Sequence, residues 1–146
     1  MSVRRPPPDR GFTLVVLVVV MAVIGILAAI AIPTLAAQRE RGYDAQAKSD
    51  LRNTGTAELS YFVENNAFTT TLVDSPPPAS PAPGTVYYRR SPGVGTLVAS
   101  FVGPIGTASG ATPQTGVCLE TTAQSGTVWT FNSQLGGLMP AGTTCP

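Results

Sequence analysis

Nineteen residues without a polar side chain follow one another from Leu14 to Ile32, and no charge stands between Arg10 and Arg39. A helix of that length crosses a hydrocarbon core of about 30 Å at roughly 1.5 Å per residue. The rest of the 146-residue chain is rich in Gly and Pro and too small to wrap such a helix as a buried core element. The run therefore predicts one membrane-length helix, and what remains is enough for one modest domain.

Arg4, Arg5 and Arg10 precede the run, and Arg39, Arg41, Lys48 and Arg52 follow it. With three cations before and four after, the asymmetry that orients membrane helices is absent. Cys118 and Cys145 lie far beyond the run. If that part is outside the cytoplasm they form one disulfide, and the alternative is two unpaired thiols. The cysteines favour an N-terminus on the cytoplasmic side.

Net charge is +1 and there is no histidine. The usual Ser/His/Asp and Cys/His nucleophile pairs are excluded, as is the commonest zinc ligand. The acidic residues after Gly11 form no obvious ligand cluster. The sequence thus predicts no enzyme, no metal site and no cofactor. Strong basic character, the footprint of a dedicated nucleic-acid binder, is also missing. The cluster Tyr87, Tyr88, Arg89 and Arg90 suits base stacking and phosphate contact, but an ordinary strand with a charged edge explains it better.

Past the run, Pro33 removes one intrahelical hydrogen bond, which kinks a helix rather than ending it. Tyr43, Ala47, Leu51, Gly55, Leu59 and Phe62 then recur at steps of four and three, one stripe of an amphipathic helix. Asp44 and Lys48 are spaced for an i, i+4 ion pair. Gly55 weakens the middle of this helix by about 1 kcal/mol relative to Ala. Asn65 and Asn66 are stop signals. Asp74 to Gly84, with five prolines, predicts an extended loop. Strands are expected over Thr85–Arg90, Leu97–Val102, Val117–Thr122 and Thr127–Asn132, the last two closing a hairpin around "AQSG". Trp129 and Phe131 share one face of the last strand. A sheet this small needs the helical stripe as its partner.

The join "RG|FTL" carries the most meaning. A basic leader ends in Gly11, and Phe12 opens the apolar run with no small-residue cleavage box before it. An ordinary secretory signal is cut after its apolar stretch. A cut at Gly11 would instead leave that stretch on the mature chain. Gly11, Phe12, Thr13, Leu14, Gly25, Pro33 and the following "QRERGYDAQAKSDLRN" resemble the class III leader and N-terminal helix of type IV prepilins and pseudopilins.

That resemblance implies cleavage after Gly11 by a prepilin peptidase, which also methylates the amine of Phe12. It implies an α+β fold with a cleaved leader over 1–11 and a long N-terminal helix over 12–66. Residues 12–37 would form the membrane and filament-core part and 38–66 the amphipathic part. A globular antiparallel β domain would follow over 67–146, with its Pro-rich loop at 74–84. The Cys118/Cys145 pair resembles the disulfide-bounded region of many pilins. The implied function is structural: the chain waits in membrane lipid and is then drawn, at an inner-membrane assembly platform, into an extracellular filament with other pilins. Phe12, Leu14, Val16, Gly25 and Pro33 would belong to the assembly helix. Specific nucleic-acid binding is not implied.

One residue departs from the pattern. The family carries Glu where this chain has Val16, and that carboxylate is thought to pair with a neighbour's N-terminal amine. A carboxylate alone in lipid costs about 2.5–3.5 kcal/mol, so pairing would draw subunits into register. Val16 makes a better anchor and a poorer assembly switch. The expectation is a minor subunit, or one assembling through apolar packing alone. The competing reading is an extracellular binding module, secreted after an ordinary signal-peptidase cut at "AIA", Ala29 to Ala31.

Overall fold

The computed structural model describes residues 13–103 and 115–146. One helix, α1 (Leu14–Asn65), is followed by six strands: β1 (Leu72–Asp74), β2 (Val86–Tyr88), β3 (Val98–Val102), β4 (Gly116–Thr122), β5 (Val128–Asn132) and β6 (Gly137–Leu138). The chain divides into two units, one ending at Gln38 and the other Arg39–Pro146.

In the first unit α1 opens with the N–H groups of Val16 and Leu17 both donating to the carbonyl of Thr13, at 3.0 and 3.3 Å. It continues through Pro33. Its large apolar side chains are exposed among the described residues, and Ala28 is half-buried.

In the second unit β3, β4, β5 and β6 form one antiparallel sheet in sequence order. Alternation puts Ala99, Phe101, Val117, Leu119, Trp129 and Phe131 on one face, and the pairs Leu119↔Phe131 and Val117↔Phe101 keep them in register. That face packs on the helix, where Ala47 and Leu51 are completely buried. The fold is α+β, a long helix with a small antiparallel sheet, as the sequence implied. The hairpin around Ala123–Gly126 also forms, with Gly126 at φ 86°, which the turn requires.

The buried face of α1 follows the stripe read from the sequence from Tyr43 to Gly55 and then leaves it. Ala47, Asp50, Leu51, Thr54, Gly55 and Glu58 are buried, whereas Leu59 is 44% exposed and Phe62 lies at the margin, stacked on Phe68 at 4.5 Å. The reason is helical geometry. Each step of four overshoots a full turn by about 40°, so four steps from Tyr43 rotate Leu59 about 160° off the starting line. Steps mixing three and four bring Thr54 and Glu58 inward instead. The helix ends at Asn65, and Asn66 adopts a left-handed φ of 53° with its N–H on the carbonyl of Phe62.

The strand at 85–90 shortens to Val86–Tyr88 and gains an unforeseen parallel partner, β1. The Pro-rich loop is the crossover between them. It is held by the Ala82 N–H donating to the Tyr87 hydroxyl at 3.1 Å. Asp74 closes the base of the loop through an ion pair with Arg90 Nε and a hydrogen bond from the Arg90 N–H, each 3.0 Å.

Candidate functional site: the helix and its seat on the sheet

The first half of the candidate assembly helix is a bare apolar cylinder. Leu14 and Val16 are solvent-facing, and a Cβ added at Gly25 would meet nothing within 4 Å. Pro33 sits inside the helix, and the following Thr34 turns its hydroxyl onto the carbonyl of Ala31 at 2.8 Å. A hydroxyl bound in this way needs no partner from outside the helix. This helix is long and apolar enough to cross a membrane. From Leu14 to Gln38 it holds no ionisable side chain, Val16 included. Gly11 and Phe12, the expected cleavage and methylation positions, lie outside the described residues.

In the second half, the half-buried Asp44 and the buried Asp50 and Glu58 each meet donors from the β domain. Asp50 accepts the Ser91 N–H at 2.7 Å and the Ser91 hydroxyl at 2.9 Å. Asp44 accepts the Ser125 hydroxyl and the Trp129 indole N–H, the latter at 3.3 Å. Lys48 lies over the Trp129 ring, 3.9 Å from its centroid. The expected Asp44–Lys48 ion pair is thus replaced: both side chains turn to Trp129, which offers a donor at its edge and a π face above. Glu58 is fully buried and accepts the Thr69 N–H at 3.3 Å. Burial pushes its carboxyl up from 4.5 to about 7, opposed by that backbone hydrogen bond. Asp50 and Glu58 were not singled out in the sequence, and Asp44 was read only as a partner for Lys48. The signal that would have found them is the corrected stripe, since Asp50 and Glu58 fall on the same face as Ala47 and Leu51.

The opposite face of the sheet is covered by the C-terminal tail. Cys118 and Cys145 are joined by a disulfide with their Cα atoms 5.8 Å apart. The Cys145 N–H donates to Glu120 at 3.0 Å, the Gly142 N–H to the Val128 carbonyl at 3.0 Å, and the Thr130 hydroxyl to the Thr143 carbonyl. Thr130, Asn132 and Cys118 are buried beneath the tail.

The aromatic-basic cluster does not form one surface. Tyr88 is in the core with its hydroxyl accepting the Leu97 N–H, Tyr87 pins the loop, and Arg90 is neutralised by Asp74. Arg89 alone of the four projects a charge without an ion-pair partner among the described residues. No group of three or more His, Cys, Asp or Glu able to hold a metal occurs among the described residues.

Residues 7–32 match the family described as the prokaryotic N-terminal methylation motif. The chain is 45% identical to the type IV major pilin protein PilA of Myxococcus xanthus, over 44% of this chain and 30% of that one. It is 40% identical to the type IV wide pilus major component PilA4 of Thermus thermophilus, over 41% of this chain and 46% of that one. It is 33% identical to the type II secretion system core protein G of Pectobacterium carotovorum, over 58% of this chain and 60% of that one. The chain thus spans between about a third and three fifths of the length of these relatives. No solved structure matches it significantly.

Proposed function

We propose that the chain is a member of the type IV pilin and pseudopilin family and a structural subunit of a pilus or pseudopilus filament. The observation that carries this reading is the methylation motif at 7–32 running directly into an apolar helix with no protein cover, whose polar half is seated on a β domain. In this reading the leader is removed after Gly11, Phe12 becomes the methylated N-terminus, and membrane lipid holds the helix until assembly. The helices then pack against those of other subunits. Inside lipid the gain from packing is van der Waals contact, and outside it the burial of apolar surface from water. The peptidase and the inner-membrane platform are the partners this route requires. The filament lies outside the cell.

The test is N-terminal sequencing of the mature protein, followed by shearing of cells. Methylated Phe12 in a sheared filament is the expected result. A start beyond Ala31 in a soluble form would overturn the reading in favour of a secreted module.

Val16 supports the finer reading of a minor subunit. With no carboxylate to pair with a neighbour's amine, this chain lacks the pull toward register that such a pair provides. A position at a filament end, where one neighbour is missing, tolerates that loss best. Abundance in sheared filaments decides it: if this chain is the dominant filament protein, the minor-subunit reading is wrong. Val16→Glu is expected to raise incorporation.

A further inference from the structure

Glu58 is the least expected residue in the core. Its side chain is completely buried, its Oε2 accepts only the Thr69 N–H, and its Oε1 has no hydrogen-bond partner. A buried carboxylate oxygen without a partner is costly, and a neutral carboxyl much less so. Thr69, the residue it holds, is itself a junction. The Thr69 hydroxyl donates to the Gly84 carbonyl at 2.6 Å and accepts the Thr71 N–H at 3.0 Å, and the Val86 N–H donates to the Thr71 carbonyl at 3.0 Å. One carboxyl on the helix therefore anchors the connection that feeds both strands of the parallel pair and the base of the Pro-rich loop.

We infer that Glu58 is a proton-operated latch, closing the helix onto the 66–71 connection when neutral and loosening that connection when charged.

Among the described residues, no ion pair gives Glu58 a compensating charge. Residues 66–71 include no ionisable side chain. On α1 the ionisable side chain within one turn is Tyr61, for which a phenol offers no positive charge. From the parallel pair, Asp74 and Arg90 neutralise one another. Tyr87 and Tyr88 have their hydroxyls committed to the Ala82 and Leu97 N–H groups. Arg89 lines a cavity of about 210 Å³ together with Asn53, Thr54, Tyr87 and Tyr88. On the sheet, Glu120 is taken by the Cys145 N–H. Thr54 stands one turn before Glu58 on the same buried face, but Glu58 itself does not line that cavity. The shift of the carboxyl to about 7 has burial as its main cause, in accord with this setting.

The sign follows from linkage. The folded value lies above the unfolded one, so stability from the neutral carboxyl is fully present below 4.5 and is lost as pH rises to about 7. Above that the curve flattens. The test uses the full chain in detergent, with denaturant unfolding followed through Trp129 and amide exchange followed at Thr69. Between about pH 5 and pH 8 the folding equilibrium constant should fall by roughly two orders of magnitude. The Thr69 amide should exchange about ten-fold faster than its intrinsic rate change explains. In Glu58→Gln both should become nearly independent of pH over that range. If that variant does not fold, a titration of isotope-labelled glutamate carboxyls in the wild type decides the matter. Titration of Glu58 near the ordinary value of 4.5, or pH-independent protection at Thr69, overturns the proposal.

Discussion

Phe131 lies so close to Gly55 that a methyl group added there would come within 2.6 Å of the ring carbon Cζ. The helical glycine is thus a packing residue: its bare backbone lets an aromatic ring from β5 approach α1. Gly55→Ala should gain about 1 kcal/mol in helix propensity and lose more through overpacking, which costs about 1–3 kcal/mol. The expected outcome is a less stable β domain, checked by denaturant unfolding. Gly55→Ala combined with Phe131→Leu should recover part of the loss.

The two leucines one might have paired on the helix should behave differently. Leu51 is completely buried and Leu59 is 44% exposed. Leu51→Ala should cost about 2–5 kcal/mol. Leu59→Ala should cost less than about 1 kcal/mol in the isolated subunit. If the proposed filament forms with Leu59 against a neighbouring helix, its substitution should lower incorporation without lowering subunit stability.

Asp50 receives two hydrogen bonds from Ser91 and is itself buried. Asp50→Ala leaves a partly buried N–H and hydroxyl without an acceptor and should cost about 2–4 kcal/mol. Asp50→Asn keeps an acceptor oxygen and should cost less. Thermal unfolding of the pair of variants separates a hydrogen-bond role from a charge role.

The disulfide closes a sequence separation of 27 residues and holds the tail against the outer face of the sheet. Reduction, or Cys118→Ser with Cys145→Ser, should cost about 3.5 kcal/mol on the chain-entropy account. Amide exchange should rise first at Gly142 and Cys145, whose N–H groups bond to β5 and to Glu120.

Lys48 and Asp44 meet on Trp129, the one tryptophan of the chain. Lys48→Gln should cost about 0.5–1 kcal/mol and alter the fluorescence of Trp129, because a charge is removed from the ring face. An unchanged spectrum would show that the ammonium group spends its time in solvent.

Much of the molecule follows from local pattern. An unbroken apolar run must be a helix because backbone groups in lipid have no other partner, so Leu14–Ile32 was legible without any tertiary information. The antiparallel strands were legible because Val, Thr and aromatic residues alternate between turn residues. The two-residue strand β6 and the three-residue β1 were not, since strands so short exist only through their partners. The inward face of α1 was misjudged beyond Gly55 for a related reason. Leu59 and Glu58 are neighbours in sequence, and hydrophobicity alone assigns the wrong one to the interior.

By itself, then, the sequence determined the long helix, its membrane length, the hairpin and the class of fold, because each follows from side-chain periodicity and backbone hydrogen bonding over a short span. Only the tertiary structure decided which acids point inward. Asp50 and Glu58 are buried, and Asp44 half-buried, where N–H and O–H groups from loops further along the chain, at Ser91, Thr69 and Ser125, arrive opposite them. A charge is tolerated inside a protein according to the donors that meet it, and which donors meet it depends on how distant segments pack together.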